Sequence, residues 1–333
     1  MNREQIDRLM ACFSEQSAGD SPRLIETHIS WVIIAGGYAY KIKKPMQYSF
    51  LDFSTPEKRE FYCEREVMLN KRLTEDVYLG VVPVRWNKGQ CSIGQTDGDV
   101  IDHAVMMQEM EPGRRMDLLL KQDKVGFTDI ARLAEKVAGF HERTEIIHDK
   151  DILDIPLKFA DLADEREFLS RHLPVAAYIE WADHASRSFM ERHWRLVAAR
   201  HRDGFVRDCH GDLHTKNIFL LEDPQPFDCI EFNDDLRQID VLNEIAFLCM
   251  DLDASGRRDL SALFLIRYNE LFPIMRTKEE EKLFLYFESY RANVRAKVNS
   301  YRARSAATLE EKEIALDEAE KYLWLMKEYL EQL

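Results

Sequence analysis

Residues 210–217 read His-Gly-Asp-Leu-His-Thr-Lys-Asn, and residues 227–232 read Phe-Asp-Cys-Ile-Glu-Phe. No other feature constrains the chain as much. Asp212 is followed five positions later by an amide, Asn217, and fourteen positions beyond that by a carboxylate, Glu231. The stretches 218–221 and 227–232 are short and apolar, so the chain reads as loop, strand, turn, strand, which would bring the three side chains together. Phosphoryl transfer needs those residue types. One carboxylate accepts or orients the proton of an attacking hydroxyl, while an amide oxygen and a second carboxylate hold Mg²⁺ against nucleotide phosphates. Asp228 and Asp234 compete for the second acid's role. Period-two alternation puts Asp228 on the opposite strand face from Glu231, which favours Glu231.

The rest of the chain sets limits. Its 333 residues have room for two domains of roughly 150 residues each, or one domain of two lobes. Apolar residues make up 45% and charged residues 32%, enough to bury a core. Sixty acids against 46 basic residues give a net charge of −14, which argues against nucleic acid as a partner. No apolar run is long enough to span a membrane, and the first residues lack the apolar stretch of a secretory signal. The expectation is a soluble, cytoplasmic protein with no membrane partner; the pattern carries no signal for an oligomeric state. Cys12, Cys63, Cys91, Cys209, Cys229 and Cys249 are scattered without a C-x-x-C pair, so small buried hydrophobes are expected rather than disulfides or a zinc site.

Strands dominate the first third. Residues 28–35 and 38–43 flank Gly36-Gly37 and read as a hairpin. Thr55-Pro56 starts a charged helix reaching about residue 73, and 81–84 and 104–110 are further strands. Glu111-Pro112-Gly113 breaks the pattern, which places a boundary between a strand-rich lobe, 1–111, and a mainly helical lobe, 112–333. In the second lobe 131–142 is helical, 159–201 holds two or three helices, and 206–209, 218–221 and 227–232 form a β island. Capping boxes at Thr277-x-x-Glu280 and Thr308-x-x-Glu311 open two late helices. In the first of these, Leu283, Phe287, Tyr290, Val294, Val298 and Tyr301 form one apolar stripe.

His-Gly-Asp-x-x-x-x-Asn resembles the catalytic loop of the aminoglycoside phosphotransferase and choline kinase-like family, over roughly residues 27–250. The resemblance implies an α+β, protein-kinase-like bilobal fold and ATP- and Mg²⁺-dependent phosphorylation of a small-molecule hydroxyl. It implies Asp212 as catalytic base, with Asn217 and Glu231 as magnesium ligands. Glu231 stands where the family normally has aspartate. Lys41 resembles the strand lysine that contacts the phosphates, with Lys43 as the fallback, and Glu66 resembles its acidic partner. Met107, Gln108, Glu109 and Met110 match the hinge whose backbone holds adenine. The chain has neither a G-x-G-x-x-G loop nor a Walker G-x-x-x-x-G-K-[ST]. The resemblance tolerates the first absence, with 26–30 as candidate cover for the phosphates, and the second excludes a Walker-type NTPase. Segments 27–32, 40–45 and 50–54 resemble a poorly characterised branch of the family.

Two other readings use the same residues. One is a kinase-shaped nucleotide-binding module without turnover, which the Glu231 departure leaves open and the presence of both Asp212 and Asn217 weighs against. The other is a metal-dependent hydrolase using His210, Asp212 and His214, which leaves Lys41, Glu66 and Asn217 unexplained. His141 reads as a core histidine beside the loop, and Asp240 and Glu244 as anchors of the helix that follows. Arg291, Arg295 and Arg302 share one helical stripe. They read either as the border of an acceptor pocket for an anionic substrate or as a solvated face that balances an acidic protein.

Overall fold

The computed structural model describes residues 1–16, 21–48, 51–94, 96–152 and 154–333. It divides into two compact units: Met1–Arg115 with Asn217–Arg237, and Met116–Lys216 with Gln238–Leu333.

In the first unit six described strands form one antiparallel sheet. Their order is Arg23–Glu26, Ser30–Ala35, Tyr38–Lys43, Asp99–Gln108, Tyr78–Asn87, Gln90–Ile93. The expected hairpin is there. Ala35 pairs with Tyr38 across a two-residue turn in which Gly36 and Gly37 have φ of 60° and 80°, the conformation such a turn requires. Period-two alternation then sorts Tyr38–Lys43. Tyr40 and Ile42 join a core with Ile33, Val84 and Ala104, covered by Ile6, Leu9 and Phe13 of helix Arg3–Gln16. Lys41 and Lys43 point to the other face, where helix Pro56–Asn70 lies. That helix starts as expected, with the Thr55 side chain accepting from the Lys58 N–H and Pro56 in the first turn.

Two expectations fail around residue 220. Residues 217–237 group with the strand-rich unit instead of continuing a helical lobe that runs from 112 to 333. Buried polar contacts draw the segment there: Cys229 N–H donates to Asn70 Oδ1 at 2.9 Å, and the Glu75 N–H to Gln225 Oε1 at 2.7 Å. Residues 227–232 are also not a strand. The hairpin pairs Ile218–Phe219 with Gln225–Pro226 and stops. Pro226 has no N–H to extend the ladder. Asp228 has φ of 65°, a left-handed conformation that breaks alternation, so the ground for placing it opposite Glu231 lapses.

The second unit is helical, with a two-stranded ribbon, Val206–Asp208 against Gln238–Asp240. Residues 241–252 of helix Val241–Ala254 are all buried. Helix Lys278–Ser305 packs against this helix and against Leu309–Leu330. Being covered on two sides, it departs from the one-stripe expectation: Val298 and Tyr301 are exposed, while Arg291 and Arg295 are buried. Both late helices have their threonine caps, and Thr308 with Glu311 forms the full reciprocal box. Glu280 instead turns to Arg200 and Arg276, so that box is half made. Five of the six cysteines are buried. Among the described residues no helix is long and apolar enough to cross a membrane.

Candidate active site

In the first unit, Lys41 and Lys43 meet three carboxylates. Lys41 Nζ lies 2.8 Å from Glu66 Oε1 and 2.6 Å from Asp228 Oδ1. Lys43 Nζ lies 2.7 Å from Glu66 Oε2 and pairs closely with Glu231. Lys43, Glu66 and Glu231 are buried; the Lys41 side chain is 12% and that of Asp228 43% exposed. Burial penalises both ammonium groups, but the surrounding acids outweigh it and hold both lysines charged, above their ordinary range. Burial likewise pushes Glu66 up, and the two lysines draw it down below the ordinary carboxylate range. Glu231 goes the other way, raised by burial and by Glu66.

Glu231, the expected metal ligand, pairs with Lys43. Asp234 is committed to Arg65 and Arg237. Within the lysine cluster Asp228 is the exposed acid, Glu66 and Glu231 being buried. Its own N–H donates to the Tyr78 hydroxyl at 3.1 Å, which fixes the left-handed turn. Asn217 precedes the short hairpin and Asp228 follows it; the mouth is closed by Phe227 N–H donating to the Asn217 carbonyl at 2.9 Å. An amide and a carboxylate thus stand at one end of one hairpin. Both offer hard oxygen donors, and three acids against two lysines leave one negative charge. That donor set fits Mg²⁺.

Two more expected segments lie in this unit. Gln108 and Glu109 give their N–H groups to the Val77 and Gly37 carbonyls, 2.8 and 2.9 Å away. Met107 is paired within the sheet, and among the described residues the Met110 N–H has no partner. Residues 27–30 form a closed turn, with Thr27 N–H on the Ser30 carbonyl and Ser30 N–H on Thr27 Oγ1, both 2.9 Å. Of the segment 50–54, Phe50 lies outside the described residues.

In the second unit the loop around Asp212 is held from helix Val241–Ala254. Glu244 accepts from the N–H groups of His210, at 2.7 Å, and Gly211, at 3.1 Å. Two turns further on, Asp251 accepts from the Thr215 N–H at 3.0 Å and its hydroxyl at 2.5 Å. Gly211 has φ of 87°, which a side chain there would strain. Both histidines follow one rule: His210 Nδ1 accepts from the Asp212 N–H and His214 Nδ1 from the Lys216 N–H, each at 3.2 Å. That leaves the proton of a neutral His214 on Nε2, 3.3 Å from Asp212 Oδ2. The Asp212 side chain is 38% exposed. Burial pushes its carboxyl up, but His214, Arg295 and His210 hold it well below the ordinary carboxylate range.

The expected hydrolase trio does not assemble. Among the described residues the candidate metal-ligand group is His141, Cys209 and Glu244. There Glu244 is taken by the loop, and His141 Nδ1 lies 2.6 Å from the Tyr268 hydroxyl, as a core histidine would. The sequence reading missed Asn70, Tyr78 and Asp251. Only Asn70 and Asp251 left a trace, in helical offsets of four from Glu66 and seven from Glu244.

The fold is that of small-molecule kinases. Choline kinase from Cryptosporidium parvum matches with a TM-score of 0.55 at 11% identity, over 93% of this chain and 90% of that one. A choline/ethanolamine kinase family protein from Mesorhizobium loti matches at 0.52 and 13%, over 97% and 99%. A GDP complex of aminoglycoside 2'-phosphotransferase-IIIa matches at 0.53 and 12%, over 100% and 99%. In sequence, uncharacterised proteins of Mycobacterium tuberculosis and Mycobacterium bovis are 31% identical over 284 residues, 83% of this chain. The chain spans about half the length of these relatives, 54%. No protein-family profile matches it.

Proposed function

We propose that this protein is an ATP- and Mg²⁺-dependent kinase that transfers the γ-phosphoryl group to a hydroxyl of a small molecule in the cytoplasm, with no nucleic-acid partner. The observation that carries the proposal is Lys41 held between Glu66 and Asp228, with Asn217 at the same hairpin mouth. Lys41, oriented and kept charged by Glu66, binds nucleotide phosphates, and the Met110 N–H meets the purine. Asn217 and Asp228 hold the magnesium, which neutralises phosphate charge when bound. Glu231 is counter-ion to Lys43 in this assignment, so the departure that left a module without turnover open disappears.

The acceptor oxygen forms the new bond to phosphorus, the bond from the γ-phosphorus to the bridging oxygen breaks, and its electron pair leaves on ADP. The hydroxyl proton goes to Asp212. A carboxylate with a depressed pKa is a weak base, so Asp212 mainly orients the hydroxyl through a hydrogen bond and takes the proton late in the transfer. His214 Nε2–H fixes its second oxygen.

Thermal unfolding with and without Mg-ATP tests the reading, on the wild type and Lys41→Ala. Ligand at about 100 times its Kd adds about 2.7 kcal/mol. The expected result is a shift of several degrees in the wild type that shrinks in the variant. No shift with Mg-ATP would remove the kinase reading.

A further inference from the structure

Helix Lys278–Ser305 brings to the second unit two guanidinium groups that the kinase reading leaves unexplained. Arg291 and Arg295 are 5% and 8% exposed, and Arg291 Nη2 and Arg295 Nε are buried without a hydrogen-bond partner. Elsewhere the buried arginines have acids: Arg59 has Asp102, Arg200 has Asp240 and Glu280, and Arg237 has Asp234. Among the described residues no carboxylate lies within ion-pair distance of Arg291 or Arg295, although against the cost of burial Tyr322, Asp251 and Asp212 hold the Arg295 guanidinium above its ordinary range. A buried donor without a partner is costly to keep, and a buried charge without a counter-ion more so.

Arg295 is tied to the Asp212 loop. Its guanidinium lies 5.3 Å from the ring centre of Tyr322, whose hydroxyl donates to Asp251 at 2.7 Å, and Asp251 holds Thr215. Lys216 is the next residue. Two helical turns along from Arg295, exposed Arg302 donates to Asn299 Oδ1 at 2.8 Å. Neither Lys216 nor Arg302 has an acid within ion-pair distance among the described residues, and Glu318, the acid nearby, pairs with Lys321 at 2.9 Å. Burial and the charges of Arg295 and Arg302 lower the Lys216 ammonium below its ordinary range, as expected for cations crowded together. Three cations thus gather in a chain of net charge −14: Lys216 lies near Arg295 and Arg302, and Arg295 acts on Asp212.

We propose that Arg295, Lys216 and Arg302 form the acceptor subsite, and that the acceptor is a hydroxylated small molecule carrying a carboxylate or phosphate. The inference rests on the kinase reading for the word acceptor; the anion site itself does not. A cationic alcohol such as choline would meet three like charges there, whereas an anion would pair with Lys216 and Arg302, which have no acid within ion-pair distance, and fix its own hydroxyl relative to Asp212.

The test uses the full chain with inorganic phosphate as probe, titrated calorimetrically, and Mg-ATP titrated separately. Phosphate should bind the wild type and Lys41→Ala alike, and at least about tenfold more weakly to Lys216→Ala and to Arg302→Gln. Neither of those two changes removes a core side chain, so Mg-ATP affinity should be unchanged in both and neither should unfold at a lower temperature. Phosphate binding that is absent, lost in Lys41→Ala, or indifferent to both charge removals overturns the subsite. If phosphate binds as expected and Mg-ATP does not bind at all, the kinase reading falls and the anion site stands. A second arm measures ADP release with matched acceptors, serine against ethanolamine and glycerol 3-phosphate against glycerol. Faster turnover of the anionic member, with KM raised in Lys216→Ala, supports the proposal and tells carboxylate from phosphate; preference for the uncharged or cationic member overturns it. If no pair turns over, the phosphate arm decides.

Discussion

Lys41 Nζ lies 2.6 Å from Asp228 Oδ1, whereas Glu231, three residues on, turns its carboxylate to Lys43. Two neighbouring acids thus have different work, and substitution should separate them. Asp228→Asn removes a half-exposed carboxylate, so the fold should survive while Mg²⁺-dependent nucleotide binding and turnover collapse. Glu231→Gln leaves a buried lysine with half its counter-charge, and breaking a buried pair costs about 3–5 kcal/mol. Its primary effect should be a lower Tm. Thermal unfolding and Mg-ATP titration of both variants check this; a stable Glu231→Gln that has lost only magnesium dependence would return the metal to Glu231.

Asp212 and His214 give a second pair. Asp212→Asn keeps the loop's hydrogen-bonding shape but cannot take a proton, so turnover should fall by about two to four orders of magnitude with Mg-ATP affinity retained. His214→Ala removes the Nε2–H that faces Asp212 Oδ2, and with it the first of the groups that hold the Asp212 carboxyl low. The acid limb of the pH–rate profile should then move to higher pH, where a purely structural role for His214 would lower the rate at every pH alike.

Much of this was legible in the chain, for reasons that differ by residue. The hairpin bearing Lys41 needs Gly-Gly at a two-residue turn, and the Glu66 helix needs a threonine cap and an early proline; both are local signals. Asp212 and Asn217 were legible as a spaced motif. The strand expected at Asp228 is absent: alternation assumes a strand, and a left-handed residue fixed by Tyr78, 150 positions earlier, leaves no local mark. The burial of Arg291 and Arg295 was hidden for the same kind of reason. One apolar stripe predicts one covered face, while packing by two other helices covered a second.

Asn70 shows how a residue with no chemistry can hold the chemistry together. It is fully buried, donates to the Glu66 carbonyl at 2.9 Å and accepts from the Cys229 N–H at 2.9 Å, so the Glu66 helix and the Asp228 segment share one amide. Asn70→Ala leaves a buried N–H unsatisfied, which costs about 1–3 kcal/mol. It should also weaken Mg-ATP binding although Asn70 is fully buried. Asn70→Asp, which keeps the acceptor, should recover part of the affinity; equal loss in both variants would mean that packing, not the hydrogen bond, positions the segment.

Glu244 ties pH to the Asp212 loop. Burial pushes its carboxyl up to about 7, against the pull of Arg291 and of the His210 and Gly211 N–H groups. A carboxyl whose folded pKa is raised binds its proton more tightly in the folded than in the unfolded chain. Its contribution to stability is therefore complete below the ordinary value of 4.5 and is lost as pH rises to about 7. The loss is at most about 1.4 kcal/mol per pH unit in that window. Urea unfolding of the wild type should show stability falling between those pH values, and Glu244→Gln, which cannot ionise, should flatten the profile there. Parallel profiles would mean that Arg291 and the two N–H groups keep Glu244 ionised throughout. Function should run the other way. The ionised carboxylate accepts from both loop N–H groups, so wild-type turnover should rise through the pH range in which stability is lost, and the glutamine variant should lose that rise.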